Sequence, residues 1–467
     1  MQNNREIFEK MSVPKALATL AVPTIISQLI TMVYNLADTF FIGTTNDPSK
    51  IAASSVAFVL VFAMNCLSNL FGVGGGSLIS RLLGEKKDGD AASVSSFSFW
   101  GSFAISALYS VAVFVFMEPF LRFLGATDGS IDYAKDYALW VVVFGSVPAT
   151  LGMTMSHLLR SEGYAKYSSI GLGFGGVLNI ILDPLFMFVF LEPGNEVKGA
   201  AIATFLSNVA VLVYFLVIYV KIKKKTVLSI SPRIMFPKKH YVFSVFAVGF
   251  PSALGSALAC LASIMINNLT ASYSDVYGDI PVAAVGIAKK IDMLPMNVGM
   301  GLCQGMMPLV AYNFSARNYK RMKDFTNTAR LWGIGFALIC IVVFEIFAEP
   351  LVRIFINEPE TVAMTTDFLR IMCLAVPLMI TNFQLSFTFQ AMGMGKESLL
   401  LSSLRQGLIN IPMLFLMKYL FGLYGIVWTQ LISDILTTVI SFIVYARAYK
   451  KLNSEASKDL LLECEDN

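Results

Sequence analysis

Charge is scarce in this sequence. Only 14% of its 467 residues are Asp, Glu, Lys or Arg, against about 25% in ordinary soluble domains. Hydrophobic residues make up 56%, and the net charge is only +4. The composition therefore excludes an ordinary soluble domain and indicates an integral membrane protein, with no basic excess that would suggest nucleic acid as a partner.

Several chemical motifs are also missing. The six cysteines include no CxxC pair and no metal-ligand spacing, so we interpret them as small packing residues. The sequence has no HExxH, no GxSxG and no Walker A motif, which argues against an enzyme and against ATP as a source of energy. The first residues, MQNNREIFEKMSVPK, lack the apolar core and cleavage site of a signal peptide. We expect no cofactor, and we expect an ion gradient to supply any energy.

Long apolar runs are what the sequence has in abundance. Runs of about 20 residues can cross a bilayer as helices, and twelve are found, at residues 16–43, 51–80, 92–117, 133–159, 168–191, 198–222, 241–271, 282–312, 325–347, 364–392, 398–420 and 424–449. An even number places both termini on one side. Most Lys and Arg residues fall in the connections on that side, so the sequence predicts cytoplasmic termini in a cell (inner) membrane, multi-pass protein.

The chain repeats itself halfway along. EPFLRFL at Glu118–Leu124 returns as EPLVRIF at Glu349–Phe355, each after the third apolar run of its half, and the offset is 231 residues. Six spans per copy give both copies the same orientation, so a pseudo-two-fold axis along the membrane normal should relate them. We predict an all-α fold with an N-terminal lobe (1–220), a basic cytoplasmic linker (221–240), a C-terminal lobe (241–450) and a tail (451–467).

The first span carries a carboxylate, Asp38. Ser27, Thr31, Tyr34 and Asp38 follow one another at helical spacing and form one polar stripe on an apolar helix. An ionised Asp at the centre of a membrane helix costs roughly 2.5 to 3.5 kcal/mol, so this stripe should face the protein interior. An architectural hydrogen bond is the simpler interpretation, but acids inside membranes are functional by default.

A second acid lies in the fifth span, in the segment NIILDP. Asn179 and Asp183 are four residues apart and share one helix face. Pro184 follows, and it should kink the helix and free the carbonyl of Ile180. Carboxylate, amide and carbonyl oxygens suit a hard cation or a proton site, whereas a structural proline kink is the alternative.

The second half does not copy these acids. The positions that correspond to Asp38 and Asp183 fall near Ile266 and Leu414. The acids and bases of this half lie elsewhere: Lys289, Lys290 and Asp292 in the eighth span predict an ion pair, and Arg405 and Asp434 in the last two spans could be interior partners or could extend to a membrane boundary.

Taken in order, four segments resemble the multidrug and toxic compound extrusion (MATE) family, in its branch of small bacterial multidrug exporters within a larger flippase superfamily. They are Pro23 with Asp38 before FFIG, LRSEG at Leu159–Gly163, NIILDP from Asn179, and GAAIAT ending at Thr204. The resemblance covers residues 12 to 450. It implies a V-shaped pair of six-helix lobes that exports amphipathic, often cationic compounds in exchange for H+ or Na+.

The same resemblance implies the site. Asp38, Asn179, Asp183 and Thr204 match residues that bind the coupling cation, and Asp38 and Asp183 would be the ligands if that cation is Na+. Tyr34 matches an aromatic neighbour, and we predict that it lines the substrate cavity with Thr31, Asn35 and Met64. Some relatives use a Glu in the seventh helix and an Asp in the tenth. The seventh span here has no Glu, so the N-terminal lobe is favoured as the cation site.

Three functions remain after these observations. The first is cation-coupled multidrug antiport by a monomer in the lipid bilayer. The second is a lipid-linked oligosaccharide flippase on the same scaffold, which should line its cavity with Arg and Lys for a diphosphate. The third is a membrane receptor that transports nothing. Counterflow in reconstituted vesicles would separate the third from the others.

Overall fold

A computed structural model describes the backbone of residues 2–45, 47–278 and 280–465, and most of the side chains up to residue 451. Every regular element in these ranges is a helix. Twelve long helices dominate, and we number them in chain order. The first six are α1 (Val13–Gly43), α2 (Pro48–Gly84), α3 (Asp88–Val115), α4 (Ile131–Phe144 with Ser146–Ser161), α5 (Ala165–Phe190) and α6 (Glu196–Ile222).

The second half repeats this order after the linker. Its helices are α7 (Lys239–Ala271), α8 (Ile280–Ser315), α9 (Tyr319–Arg353), α10 (Pro359–Cys373 with Val376–Met392), α11 (residues 395–421) and α12 (residues 423–465). Short helices precede or connect them, at Gln2–Glu9, Met117–Phe123, Pro232–Ile234 and Ser274–Tyr277.

The twelve predicted spans correspond one to one with these helices. Eight described helices are long and apolar enough to cross a membrane, or ten if each bent pair counts as one span. One of the eight, Gly395–Lys451, is 57 residues long and holds two spans, because Gly422 has φ of 62° and breaks the helix between α11 and α12. The charged α8 is the remaining span. The prediction of an all-α membrane protein with two six-helix lobes is confirmed.

The two halves bend at corresponding places. α4 bends by 49° between Phe144 and Ser146, and α10 bends by 44° between Cys373 and Val376. Each is followed by a glycine in the left-handed region, Gly163 with φ of 91° and Gly393 with φ of 75°, where a side chain would be strained. The duplicated sequence thus produces duplicated backbone geometry.

The lobes pack together through small residues. A Cβ atom added to Gly305 of α8 would lie 2.4 Å from the Cα atom of Ala21 in α1, and one added to Gly249 of α7 would lie 1.8 Å from the carbonyl oxygen of Leu70 in α2. Small residues let membrane helices approach this closely. The two crossings, α1 with α8 and α2 with α7, are exchanged by the repeat, so the interface is itself pseudo-symmetric.

Polar contacts close the interface at the end of the molecule that holds the first residues. Ser77 Oγ of α2 donates to the carbonyl of Gln390 in α10 at 2.6 Å. The N-terminal helix lies across the same end, where the Phe8 ring stacks on Tyr312 of α8 at 4.8 Å and Arg5 pairs with Asp88 of α3 at 2.5 Å. This short helix therefore contacts both lobes.

Nearer the middle of the bundle the lobes still touch. Asn69 of α2 donates to Ser256 of α7 at 3.2 Å. About one turn further along each helix, the thiols of Cys66 and Cys260 come close enough to interact electrostatically. Both cysteines are free and partly exposed.

The charged residues of the second lobe correct one prediction and settle another. No ion pair joins Lys289, Lys290 and Asp292 among the described residues, because Lys289 turns to Ser263 and Asn267 and Oδ1 of Asp292 is buried without a partner. The prediction of an ion pair among these three residues is therefore wrong.

Arg405 and Asp434, in contrast, are interior partners. Their ion pair is 2.7 Å long, with side chains 7% and 0% exposed.

Candidate cation site

The site is built where α1 crosses α5. Gly173 and Gly176 of α5 face Ile30 and Tyr34 of α1, and a Cβ atom at Gly176 would lie 3.1 Å from the Tyr34 ring. Glycines at these positions allow the two helices to approach closely. The same packing brings the polar stripe of α1 against the face of α5 that carries Asp183.

The α5 side of the site is a small hydrogen-bonded group. Asn179 Nδ2 donates to Asp183 Oδ1 at 3.0 Å and reaches Thr204 Oγ1 of α6 at 3.4 Å. Asn179 is 2% exposed and Asp183 is fully buried. The spacing of four residues therefore does bring amide and carboxylate together, and α6 adds a hydroxyl.

Asp38 completes the group from α1. Its carboxylate interacts electrostatically with that of Asp183, and both act on the Tyr34 hydroxyl. Three oxygens here are buried without a hydrogen-bond donor among the described residues: Oδ1 of Asp38, Oδ2 of Asp183 and Oδ1 of Asn179. A buried acceptor without a donor is costly, so these oxygens are free to accept a hydrogen-bond donor or a positive ion.

Tyr137 of α4 is a member that the sequence analysis missed. It is 7% exposed, and its hydroxyl interacts with Asp38, Asp183 and Tyr34. A polar aromatic residue in the fourth span was a possible signal, but only the packing of α4 in the lobe shows that it lies near Asp38 and Asp183. Its counterpart in the second repeat is Phe368, which has no hydroxyl.

Three predicted cavity residues lie outside this group. Thr31 is partly exposed and Asn35 is exposed on α1. Met64 of α2 is only 5% exposed, because it packs in an apolar cluster with Leu60 and Val113. That packing leaves Met64 little surface for a ligand in this arrangement of the lobes.

The donor set fits a monovalent cation. Two carboxylates, one amide oxygen and one hydroxyl are oxygen ligands that suit Na+, and the paired acids can instead hold a proton. No described Lys or Arg forms an ion pair with Asp38 or Asp183. Such an arrangement can bind and release a positive ion.

Two repeated six-helix lobes with buried acids between their helices are the architecture of a secondary transporter. The family model described as MatE matches residues 23–185 and again 251–416, one stretch in each lobe. The chain belongs to the MatE family, the family of MATE multidrug transporters, which confirms the resemblance seen in the sequence.

Relatives extend over the whole chain. A protein named multidrug export protein MepA from Staphylococcus aureus (strain MSSA476) is 33% identical over 97% of this chain and 97% of its own length. MepA of Staphylococcus saprophyticus is 32% identical over 94% of each chain. A crystal structure of a MATE protein in the straight conformation superposes with a TM-score of 0.89 over 96% of this chain and 98% of that one, at 22% identity, which supports the fold.

Proposed function

We propose that this protein exports amphipathic, often cationic compounds from the cell and that entry of H+ or Na+ drives the export. The observation that carries the proposal is the buried acidic pair, Asp38 and Asp183, whose carboxylates interact while each leaves one oxygen without a donor. The MepA proteins named above supply the substrate class, since multidrug export is what their name states.

Helix α1 is the proposed link between the site and the lobe movement. It is one continuous helix from Val13 to Gly43, with Asp38 near one end and Ala21, which packs on Gly305 of the other lobe, nearer the other. The distance between these two residues along the helix is about 25 Å at 1.5 Å per residue. A change in how α1 packs around Asp38 therefore reaches the lobe interface.

We propose the following cycle. A cation that binds Asp38 and Asp183 removes their mutual repulsion and favours one packing of α1, and its release restores two negative charges that attract a cationic substrate. Because binding is reciprocal, a difference of about 1 to 3 kcal/mol in affinity between the two arrangements is enough to couple the ligands. Asn179, Thr204 and Tyr34 hold the acids in position, and Thr31, Asn35 and Met64 are proposed to contact substrate during the cycle.

The arrangement of the chain in the membrane is part of the proposal. We propose lobes of residues 1–220 and 241–450, a cytoplasmic linker at 221–240 and a cytoplasmic tail from 451 in a monomer. Because the described lobe contacts lie at the end that holds the first residues, cytoplasmic termini make this the outward-facing arrangement.

Reconstituted vesicles test the coupling. Efflux of a fluorescent organic cation is measured with a pH gradient or a Na+ gradient imposed alone, for the wild type and for Asp183→Asn. We expect ion-driven efflux to fall at least about tenfold, equivalent to about 1.4 kcal/mol of coupling, because the variant has no second charge to neutralise. Asp128→Asn is the matched control, because Asp128 lies in an exposed loop and pairs with Arg122. Wild-type efflux by Asp183→Asn would refute the proposal.

A further inference from the structure

A small cavity lies between the lobes at their closed end, with a few polar side chains in a largely apolar lining. Both lobes line it. The first lobe contributes His157, Arg160 and Ser161 of α4, and the second contributes Gln304 and Met307 of α8 and Phe387 of α10. The cavity and its mouth enclose about 320 Å³, and its centre has room for an object of about the size of a water molecule.

Arg160 is the charged residue in this cavity. Its side chain is 4% exposed, and the guanidinium donates through Nη1 to Gln304 Oε1 at 2.8 Å and through Nη2 to the hydroxyls of Ser156 and Ser168 at 3.4 and 3.3 Å. Its Nε atom is buried and finds no acceptor among the described residues. The contacts that hold Arg160 are thus all neutral.

A carboxylate near Arg160 in sequence is used elsewhere. Glu162 accepts hydrogen bonds from the Thr226 hydroxyl and from the backbone N–H of Val227 at 2.8 Å, both in the linker. No ion pair within 4 Å involves Arg160 among the described residues. A buried guanidinium with only neutral partners keeps an uncompensated positive charge, which is costly away from water.

We propose that the cavity binds one small monovalent anion, of which chloride is the physiological example. The ion would accept from the Arg160 guanidinium and from the side-chain amide of Gln304, whose Oε1 already faces the guanidinium, with the His157 ring beside it. The small interior favours a monatomic ion over phosphate. The positive guanidinium excludes a cation from the same place.

The anion site belongs to one arrangement of the lobes. Arg160 lies in the first lobe and Gln304 in the second, so separation of the lobes at this end takes the site apart. A ligand that binds only one arrangement stabilises it. The anion therefore holds the closed end shut, and under the proposed function, on which this step rests, it favours the outward-facing arrangement.

Thermal unfolding of the purified protein in lipid nanodiscs tests the site without transport. Sodium gluconate is replaced stepwise by sodium chloride at constant ionic strength and constant Na+. We expect the unfolding midpoint to rise and saturate with chloride, and bromide to act in the same way. A midpoint that does not respond to either halide shows that the cavity holds only water, and it would overturn the proposal.

A variant that supplies its own anion makes the test sharper. Gln304→Glu places a carboxylate against Arg160, so its midpoint in gluconate should match that of the wild type in chloride, and added chloride should have no further effect. Gln384→Glu is the matched control, because Gln384 accepts from Arg330 at 3.1 and 3.2 Å inside the second lobe and should leave the chloride response unchanged. A normal chloride response in Gln304→Glu contradicts the site.

Asp183→Asn separates this inference from the proposed function. The variant is expected to lose coupling but to keep the chloride response, since Asp183 lies in a different part of the first lobe. If ion-driven efflux proves independent of Asp183 while the halide effect is present, the coupling proposal fails and the anion site stands. If the halide effect is missing while coupling depends on Asp183, the anion site fails alone.

Discussion

The two lobes descend from one repeated sequence, yet Asp434 of the second lobe and the Asp38 and Asp183 pair of the first have opposite surroundings. In the second lobe, both oxygens of Asp434 have donors: Oδ1 accepts from Arg405 and Asn382, and Oδ2 accepts from Arg405 and Gln430. In the first lobe, Asp38 and Asp183 each keep an oxygen without a donor among the described residues. Asp434 therefore has a counter-ion within the chain, whereas no described Lys or Arg pairs with Asp38 or Asp183, and Asp292 of the second lobe also keeps Oδ1 without a donor.

The difference shows what makes a buried acid available to a mobile ion. Asn179 and Asn410 occupy equivalent places, 231 residues apart, and both are nearly fully buried. Asn179 faces an acid, whereas Asn410 donates to Gln430, which in turn donates to the already neutralised Asp434. The Arg405 guanidinium is part of the chain and cannot leave, so Asp434 is not open to exchange with a mobile cation, whereas the proposed site of the first lobe is.

Removal of the built-in cation should have the largest effect. Arg405→Met leaves Asp434 buried without its partner, and breaking a buried pair in this way costs about 3 to 5 kcal/mol. We expect a strongly lowered unfolding midpoint in nanodiscs. The double variant Arg405→Met with Asp434→Leu removes both charges and should recover most of that loss. If Arg405→Met alone were as stable as the wild type, the ion pair with Asp434 would not be what compensates the buried charge.

The turns after α4 and α10 also differ, because only the first carries a buried carboxyl group whose protonation should make stability depend on pH. In the first lobe, burial raises the pKa of Glu162 to about 7 although the linker donates hydrogen bonds to it, whereas the equivalent residue of the second lobe is the apolar Met392. A carboxyl group whose pKa is higher in the folded than in the unfolded protein binds more protons when folded. Stability should therefore fall by up to about 3 kcal/mol as the pH rises from about 4.5 to about 7.

Glu162→Gln tests this pH dependence. The variant should lose this part of the slope, so that its free energy of unfolding exceeds that of the wild type most clearly above pH 7. Glu397→Gln, in the first turn of α11, makes the same substitution in the second lobe and serves as the control. A wild-type profile in Glu162→Gln would show that another group titrates.

An acid without a counter-ion should be dispensable for stability but not for coupling. We expect Asp38→Asn to reduce ion-driven efflux about tenfold, which corresponds to about 1.4 kcal/mol, and to leave the unfolding midpoint unchanged or higher, because one of two repelling carboxylates is gone. Asp367→Asn, on α10 where its carboxylate accepts from Tyr424, is the control. A large loss of stability in Asp38→Asn would make Asp38 structural.

The smallest effect should come from the hydroxyl that only the first lobe has. Tyr137→Phe gives the first lobe the residue that the second lobe has at the equivalent position, Phe368. Loss of one hydrogen-bonding group near the acids should weaken cation binding by about 1 kcal/mol, or about fivefold in the ion concentration that gives half-maximal efflux. Tyr109→Phe, whose hydroxyl donates to the carbonyl of Leu60 in the same lobe, should show no such shift.

Much of this comparison could be predicted from the sequence, because period and spacing are local properties. Apolar run lengths predicted the twelve spans, and the EPFLRFL and EPLVRIF segments predicted the repeat. The spacing of Asn179 and Asp183 predicted that they share a face of α5. Each of these depends on helical geometry within a single element, which residue order determines.

The remainder depends on how helices pack. Tyr137 lies near the acids and Met64 packs in an apolar cluster. Both placements depend on how α4 and α2 pack against other helices, which no periodic pattern specifies. The expected ion pair of Lys289 with Asp292 failed for the same reason, since Ser263 and Asn267 from α7 attract the lysine. Whether Arg405 points inward or to a boundary also required the structure.

The neighbouring thiols of Cys66 and Cys260 give the native sequence a built-in reporter of lobe movement. They lie on opposite sides of the interface between α2 and α7, so a short bifunctional maleimide would cross-link the two lobes without any engineered residue. Mass spectrometry would then measure the fraction of cross-linked protein in each ionic condition, and a change in that fraction would report movement of the lobes.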